Sequence, residues 1–333
     1  MLALIPLLLG LGAQGKGIEI VTVANRFKGD VLSVAVSPSG RYVAGVGGGR
    51  LEELDLQDGS YVGFKAGAAT SVFYLGEALY LGDGDGTIET LDRAKKDFTD
   101  KANVRAIPVN AAFAAGGSRL FYASPGEKSW EVSAFDMKAG KTPLHLENRG
   151  SHGIFGTSPD GASVISVAEG PTDAEGLRHF RLETRALTSK TATTLEDFTF
   201  RTISKEVLEG AYFTACAFSP SGTDVLAAWN TIAKDSSGDA FLATYDAKTG
   251  KQKLKRTFKD GNSSGAIYLG NDRRIAFINS DKLVVYDLEA GKELASIPID
   301  QEQDYRLAAS KSGDILAVGI GKVVNIYKIT AKP

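Results

Sequence analysis

The stretch YFTACAFSPSGTDVLAAW, residues 212–229, places two runs of alternating apolar residues on either side of a Ser-Pro-Ser-Gly turn. Alternation with a period of two predicts β-strands, because successive side chains of a strand point to opposite faces. Proline and glycine between two such runs favour a tight reversal of the chain. The stretch therefore predicts an antiparallel hairpin.

The same pattern recurs along the chain. Three clear copies repeat the two runs and the turn: VLSVAVSPSGRYVAGV (31–46), HGIFGTSPDGASVISV (152–167) and YRLAASKSGDILAVGI (305–320). Weaker copies have their first turns near Gly76, Gly116 and Asn271. Most of these turns are roughly 40 residues apart, which is the repeat length of a β-propeller blade.

A second element follows several of the hairpins. In LEELDLQDGS (51–60), VSAFDMKAGK (132–141), FLATYDAKTGK (241–251) and LVVYDLEAGK (283–292), strand residues lead to an aspartate and then to a glycine. The aspartate can accept hydrogen bonds from the amides of its own turn, and the glycine can take the positive φ that closes it. Each repeat thus predicts a third strand, a turn and a fourth strand.

The two ends of the chain suggest how the repeats close. The last repeat, 305–329, supplies three strands, whereas GIEIVTVANRF (17–27) is a lone strand with no hairpin of its own. We expect this strand to be the outer strand of the last blade, so that no open sheet edge is left at the seam. The sequence predicts an all-β, seven-bladed β-propeller of four-stranded antiparallel blades, a single domain over 17–330, with six or eight blades as alternatives.

At this level the chain resembles the WD40-like and quinoprotein-like β-propeller superfamily in its exported bacterial form. Where the strict repeat has Trp-Asp, this chain has Leu54-Asp55, Phe135-Asp136, Tyr245-Asp246 and Tyr286-Asp287, and it lacks the Gly-His pair. The resemblance implies a closed ring of blades. Some exported relatives of this kind serve in outer-membrane protein assembly, which implies protein partners and association with the cell envelope.

The glycine-rich stretch GDGDG (82–86) allows three interpretations. A nucleotide-binding loop would need Gly-Lys-Ser/Thr entering a helix, and none is present. A calcium loop counted from Asp83 would have Thr87 at the fifth position, where a hydroxyl is a poor substitute for a carboxylate, and Ala94 at the twelfth, where a bidentate Glu is required. We therefore predict a turn between the second and third strands of a blade, although Asp83 and Asp85 could hold an adventitious cation.

Composition excludes some classes of function. The 333 residues carry a formal net charge of -2, so the chain offers no basic field for nucleic acid. The apolar run at 1–13 predicts a cleavable signal peptide, too short to span a bilayer, and hence a periplasmic or extracellular protein. The single cysteine, Cys216, lies in an apolar run and is expected to be a buried hydrophobe.

The variable connections all fall on one predicted face. These are NVRAIP (103–108), EGPTDAEG (169–176), EDFTFRTISKEVLEG (196–210) and NTIAKDSSGD (230–239). Binding is commonly diversified in loops over a rigid scaffold, although exposed loops also simply tolerate insertion. We expect a non-catalytic, monomeric scaffold without a cofactor, which binds a protein partner through blades 4 and 5. The candidate residues are Glu169, Asp173, Phe200, Arg201, Trp229, Lys234 and Asp235.

An enzyme is the alternative from another class, either a hydrolase or lactonase or a quinone-dependent dehydrogenase. It would use the mouth of the central channel, where we place Asp30, Asn110, His152, Tyr212, Asp304 and Arg306. Such a ring also occurs at any solvated propeller mouth. The histidines His145, His152 and His179 fall on different strands and should not converge, so no metal site is expected.

Overall fold

A computed structural model describes residues 17–24, 27–83, 86–95, 97–103, 112–116, 118–125, 130–137, 141–147, 152–170, 172, 174, 176–189, 191–202, 208–232, 238–300 and 305–332. These residues form 28 strands. Within the described ranges no helix is long and apolar enough to cross a membrane.

The strands, in chain order, are β1 (Ile18–Ala24), β2 (Val31–Val36), β3 (Tyr42–Gly47), β4 (Arg50–Asp55), β5 (Tyr61–Lys65), β6 (Ala69–Leu75), β7 (Ala78–Asp83), β8 (Thr87–Asp92), β9 (Asp97–Asn103), β10 (Ala112–Gly116), β11 (Arg119–Pro125), β12 (Trp130–Asp136), β13 (Lys141–Glu147), β14 (His152–Thr157), β15 (Ser163–Glu169), β16 (Arg178–Ala186), β17 (Thr193–Thr202), β18 (Leu208–Phe218), β19 (Asp224–Ile232), β20 (Ala240–Asp246), β21 (Gln252–Phe258), β22 (Ser263–Tyr268), β23 (Arg274–Asn279), β24 (Lys282–Asp287), β25 (Lys292–Pro298), β26 (Tyr305–Ala309), β27 (Ile315–Ile320) and β28 (Val323–Ile329).

Consecutive strands pair in sets of four. Five sheets have four strands, in the orders β2-β3-β4-β5, β6-β7-β8-β9, β10-β11-β12-β13, β22-β23-β24-β25 and β1-β28-β27-β26. The strands β14 to β21 form one eight-stranded sheet, in which β17 joins two sets by pairing with β18. The predicted all-β class and the four-stranded antiparallel unit are confirmed.

The sets pack against one another in a ring. The first strands of successive sets contact each other in the order β2, β6, β10, β14, β18, β22 and β26, and β26 in turn contacts β2. Apolar side chains fill the space between neighbouring sheets, as where Ile278 and Leu283 of one set pack with Leu316 and Val318 of the next. Because both faces of a sheet are covered, a strand such as β27 is buried on both sides. This arrangement is that of a β-propeller.

The N-terminal strand closes the ring as predicted. Strand β1 pairs antiparallel with β28, from Ile18 opposite Ile329 to Ala24 opposite Val324, with a bulge between Ile20 and Thr22. Ile18 is buried in the core shared with β22 to β25 and β26 to β28. Both ends of the described chain therefore lie in one sheet.

The first turn of four sets is held by a buried serine. Ser37, Ser158, Ser219 and Ser310 are each at most 4% exposed. In each turn the serine hydroxyl accepts a hydrogen bond from the amide five residues ahead, as from Asp224 to Ser219 at 3.2 Å. Each glycine of these turns has a positive φ, between 66° and 76°. The serines are thus structural.

Replacing one of these serines should destabilise the fold. In Ser219→Ala the partly buried Asp224 amide loses the acceptor for its hydrogen bond, and we expect the free energy of unfolding to fall by about 1–3 kcal/mol. Urea denaturation measures this change. The exposed Ser60 provides the control, since Ser60→Ala should change stability by less than about 0.5 kcal/mol; equal effects at both positions would contradict the assignment.

The aspartate turns after Asp55, Asp246 and Asp287 form as predicted, and the one predicted after Asp136 lies outside the described residues. Asp287 accepts a hydrogen bond from the Ala290 amide at 2.9 Å, and Gly291 has a φ of 66°. The Asp287 side chain is fully buried and binds the Arg273 guanidinium, with Nη2 2.7 Å from Oδ2. The guanidinium, together with turn amides, lowers the pKa of Asp287 from 3.8 to about 2. The turn is therefore stabilised by the ionised carboxylate.

Acid should weaken this turn. Because the pKa of Asp287 is lower in the folded chain, its contribution to stability is complete above about pH 4 and disappears as the pH falls toward about 2. Asp287→Asn should lower the melting temperature at pH 7, with a gap to the parent chain that narrows between pH 4 and pH 2. The control Asp281→Asn removes an exposed carboxylate that does not contact Arg273 and should show little gap. An unchanging gap for Asp287→Asn would exclude this linkage.

Two predicted loops are wrong in part. Most of 196–210 belongs to strands, since β17 extends to Thr202 and β18 starts at Leu208, and the two pair from Phe200 opposite Gly210 to Thr202 opposite Leu208. The residue alternation typical of strands continues past the predicted end of each strand. The backbone groups of β17 and β18 therefore pair with each other there. Residues 230–232 also lie in β19. By contrast, β7 and β8 form the hairpin predicted around GDGDG.

Candidate binding cleft between β17 and β21

A cleft of about 680 Å³ lies where the set ending in β17 meets the set that begins with β18. It opens on the face that carries the long connections, close to residues predicted to bind a partner. Strands β17, β18, β19 and β21 and the residues that follow β19 and β21 contribute the lining: Glu196, Asp197, Phe198, Thr199, Gly210, Ala211, Trp229, Thr231, Ile232, Gly238, Asp239, Lys255, Lys259 and Asp260.

Aromatic rings form the inner wall of the cleft. Trp229 is 3% exposed and stacks on Phe241 with 5.4 Å between ring centroids, while Phe198 meets Trp229 edge-on at 5.4 Å. The Lys255 ammonium lies 5.0 Å from the centroids of both Trp229 and Phe241. Such packing fixes the rings and places one cation over their faces.

Carboxylates dominate the charge of the lining. Asp239 binds Lys259 at 2.8 Å and accepts the Asp260 amide at 3.1 Å, and the hydrogen bond from Lys259 lowers the pKa of Asp239. Glu196 accepts a hydrogen bond from the Tyr245 hydroxyl. Burial raises the pKa of Tyr245, and the hydrogen bond to Glu196 raises it further. Tyr245 therefore stays a neutral donor.

The path of β18 creates the cleft. It pairs with β17 only as far as Gly210 and continues along β19, so the stretch of β17 from Glu196 to Thr199 faces the opening. The turn after β20 closes the other end, where a Cβ on Gly250 would lie 2.2 Å from the Thr194 carbonyl oxygen. The Thr184 hydroxyl donates to the Ala247 carbonyl at 2.8 Å across the same junction.

The predicted partner-binding residues fall around this cleft to different extents. Trp229 lines it, although as a buried wall rather than an exposed anchor. Glu169, Phe200 and Arg201 are described through their backbone alone, at the ends of β15 and β17. Asp173, Lys234 and Asp235 lie outside the described residues. The binding role of all seven remains a prediction.

Sequence reasoning missed the lysines of the far wall. Period-two alternation in KLKRTFK (253–259) places Lys255 and Lys259 on one face of β21 and the residue that follows it, which is a signal available in the sequence. The direction of that face depends on how β21 packs against its neighbours. The pattern alone therefore could not distinguish an exposed edge from a cleft wall.

The predicted channel mouth is described in part. Asn230 donates to the Tyr212 hydroxyl at 2.9 Å and also receives the Ser263 amide at 2.8 Å, so these groups tie neighbouring sets together. Arg306 donates to the Leu32 carbonyl at 3.0 Å, and Asp30 is exposed. Asn110, Asp304 and the His152 side chain lie outside the described residues.

The remaining candidates for chemistry are dispersed. His145, His152 and His179 lie on β13, β14 and β16. In the part of the chain that the structure describes, no three His, Cys, Asp or Glu residues are grouped so that they could hold a metal ion. Cys216 is buried, and burial raises the pKa of its thiol well above the usual value, as expected for a packing residue.

Replacing Trp229 with alanine should destabilise the fold. Because the ring is buried between Phe198 and Phe241, Trp229→Ala is expected to cost about 3–5 kcal/mol in the free energy of unfolding. Trp229→Phe should retain most of that stability by keeping an aromatic ring in place. Urea denaturation of both variants measures the difference, and an alanine variant as stable as the parent would show that the ring is not part of the core.

Comparisons with known proteins support the fold alone. No protein-family model and no curated protein matches the chain. Among solved structures, the chain is similar to Kuenenia stuttgartiensis hydrazine synthase with a TM-score of 0.66 and 11% sequence identity, over 91% of this chain and 96% of that one. In total 1153 solved chains match, which is typical of a widely used fold and does not select one function. The class that fold and comparison define is an all-β, β-propeller protein.

Proposed function

We propose that this chain is an exported, non-catalytic scaffold that binds a protein partner. The partner would bind through the face that carries the cleft and the paired ends of β17 and β18. We propose further that it is a seven-bladed, monomeric member of the WD40-like or quinoprotein-like superfamily, located in the periplasm or cell envelope. The 28 strands in sets of four support the blade count. The apolar run at 1–13 supports export.

The observation that carries this proposal is the cleft itself. It combines buried rings with exposed charged groups, such as Lys255 on β21, on walls that are formed largely by strands of neighbouring sheets. Groups held this rigidly lose little conformational freedom on binding, so more of the contact energy appears as affinity.

A blocked cleft should prevent partner capture. Thr199 is exposed on the lining, so Thr199→Trp should obstruct the opening without disturbing the core. Affinity capture from the native cell envelope, followed by mass spectrometry, should show at least a tenfold loss of the main captured protein. The melting temperature should stay unchanged.

Thr99 provides a matched control for this experiment. It is an exposed threonine on β9, which is also the last strand of its set. Thr99→Trp should capture the partner as the parent chain does. Undiminished capture by Thr199→Trp, or an equal loss in both variants, would refute the assignment of this surface.

A further inference from the structure

We infer that the cleft takes an extended, cationic segment of the partner, which adds as a strand to the edge of β17 between Glu196 and Thr199. This inference rests on the proposed function and deepens it, because it states what part of a partner enters the cleft. Three observations support it: an incomplete strand pairing, the size of the opening and the charge of its walls.

The first observation is the edge of β17. On one side, this strand pairs with β16 along its length. On the other side, β18 pairs with it only from Phe200 to Thr202 and then departs. Among the described residues, no other strand pairs with β17 between Glu196 and Thr199. Alternate residues there turn their backbone N–H and C=O groups toward the cleft, as at any sheet edge.

The second observation is the size of the opening. Four residues of strand at about 3.3 Å each give roughly 13 Å of free edge. The cleft of about 680 Å³ beside this edge accommodates a short peptide stretch. A partner strand placed here would continue the pairing that β18 abandons at Gly210, which is the geometry of recognition by strand addition.

The third observation is charge. Of the two lysines in the lining, Lys259 is bound by Asp239, and Lys255 lies over the rings of Trp229 and Phe241. The carboxylates of Glu196 and Asp260 form no ion pair with any residue that the structure describes. In the lining as a whole, the four carboxylates of Glu196, Asp197, Asp239 and Asp260 outnumber the two lysines, and lysine or arginine side chains of an entering segment would complement this excess of negative charge.

The test uses synthetic peptides with the full chain. The probes are acetylated hexapeptides with Lys or Arg at alternate positions and mixed apolar residues between them, beside the matching library with Glu. Fluorescence anisotropy of dye-labelled peptides gives their affinity for the full chain. Emission of Trp229, observed in a Trp130→Phe background because the chain has two tryptophans, reports binding at the cleft. We expect the cationic library to bind and to change the emission of Trp229, and the acidic library to bind at least tenfold more weakly.

Backbone methylation separates strand addition from simple charge attraction. A paired strand uses the N–H groups of one edge, so methylating alternate amides on that edge should weaken binding at least tenfold. Methylating the other set should leave affinity within about twofold. Equal loss in both sets, or loss in neither, would overturn strand addition.

Two double variants test the charge argument at equal net charge. Glu196→Gln with Asp260→Asn removes two negative charges from the lining, and asparagine tolerates the positive φ of 51° at position 260. This variant should weaken the cationic peptides at least tenfold. The control, Asp272→Asn with Glu289→Gln, changes two exposed acids on the opposite face and should bind like the parent.

The outcomes distinguish this inference from the proposed function. Failure of every cationic peptide to bind, with capture still lost in Thr199→Trp, would overturn strand addition and leave a scaffold that grips a folded surface. Equal binding of acidic and cationic libraries would overturn the charge assignment. Undiminished capture by Thr199→Trp would refute the partner-binding surface itself, whatever the peptides do.

Discussion

The backbone pairing of β1 with β28 is the constraint on which the rest of the structure depends. A ring of sheets is held together by apolar faces between neighbours, and at the seam those faces meet only if the last sheet is complete. Ile18 of the N-terminal strand is buried in the core at the seam, and Ile329 lies opposite it at the end of β28. The pairing also removes the open edge that three strands alone would leave.

The two faces of the ring differ in how their connections are stabilised. On one face, buried serines such as Ser219 and aspartates such as Asp287 satisfy turn amides from within, so these turns stay short and regular. Their hydrogen bonds to the turn amides are local, and Asp287 in addition binds Arg273 of the preceding turn on the same face. Among the residues that the structure describes, the opposite face shows no such repeated hydrogen bond, and there β17 and β18 extend past the ends of their neighbours to pair with each other.

The cleft follows from that extension. When β18 leaves β17 to become the first strand of the next set, it opens a fork whose walls are already fixed by the sheets on either side. The aromatic side chains in the wall and the charged groups at the opening then occupy positions that are set by the packing of the sheets around the propeller. A common fold contributes the rigidity, while the particular residues at the fork decide what can bind there.

The sequence by itself determined the strands, the turns, their order and the strand that completes the last sheet. Period-two alternation and Ser-Pro-x-Gly or Asp-to-Gly turns are local properties of the sequence, and they recur from one repeat to the next along the chain. Only the tertiary structure decided that residues 200–202 and 208–210 pair as strands, that Trp229 is a buried wall, and that Lys255 and Asp260 share one cleft with Glu196. These residues come from different strands, and their meeting depends on how neighbouring sheets pack, which no local pattern records.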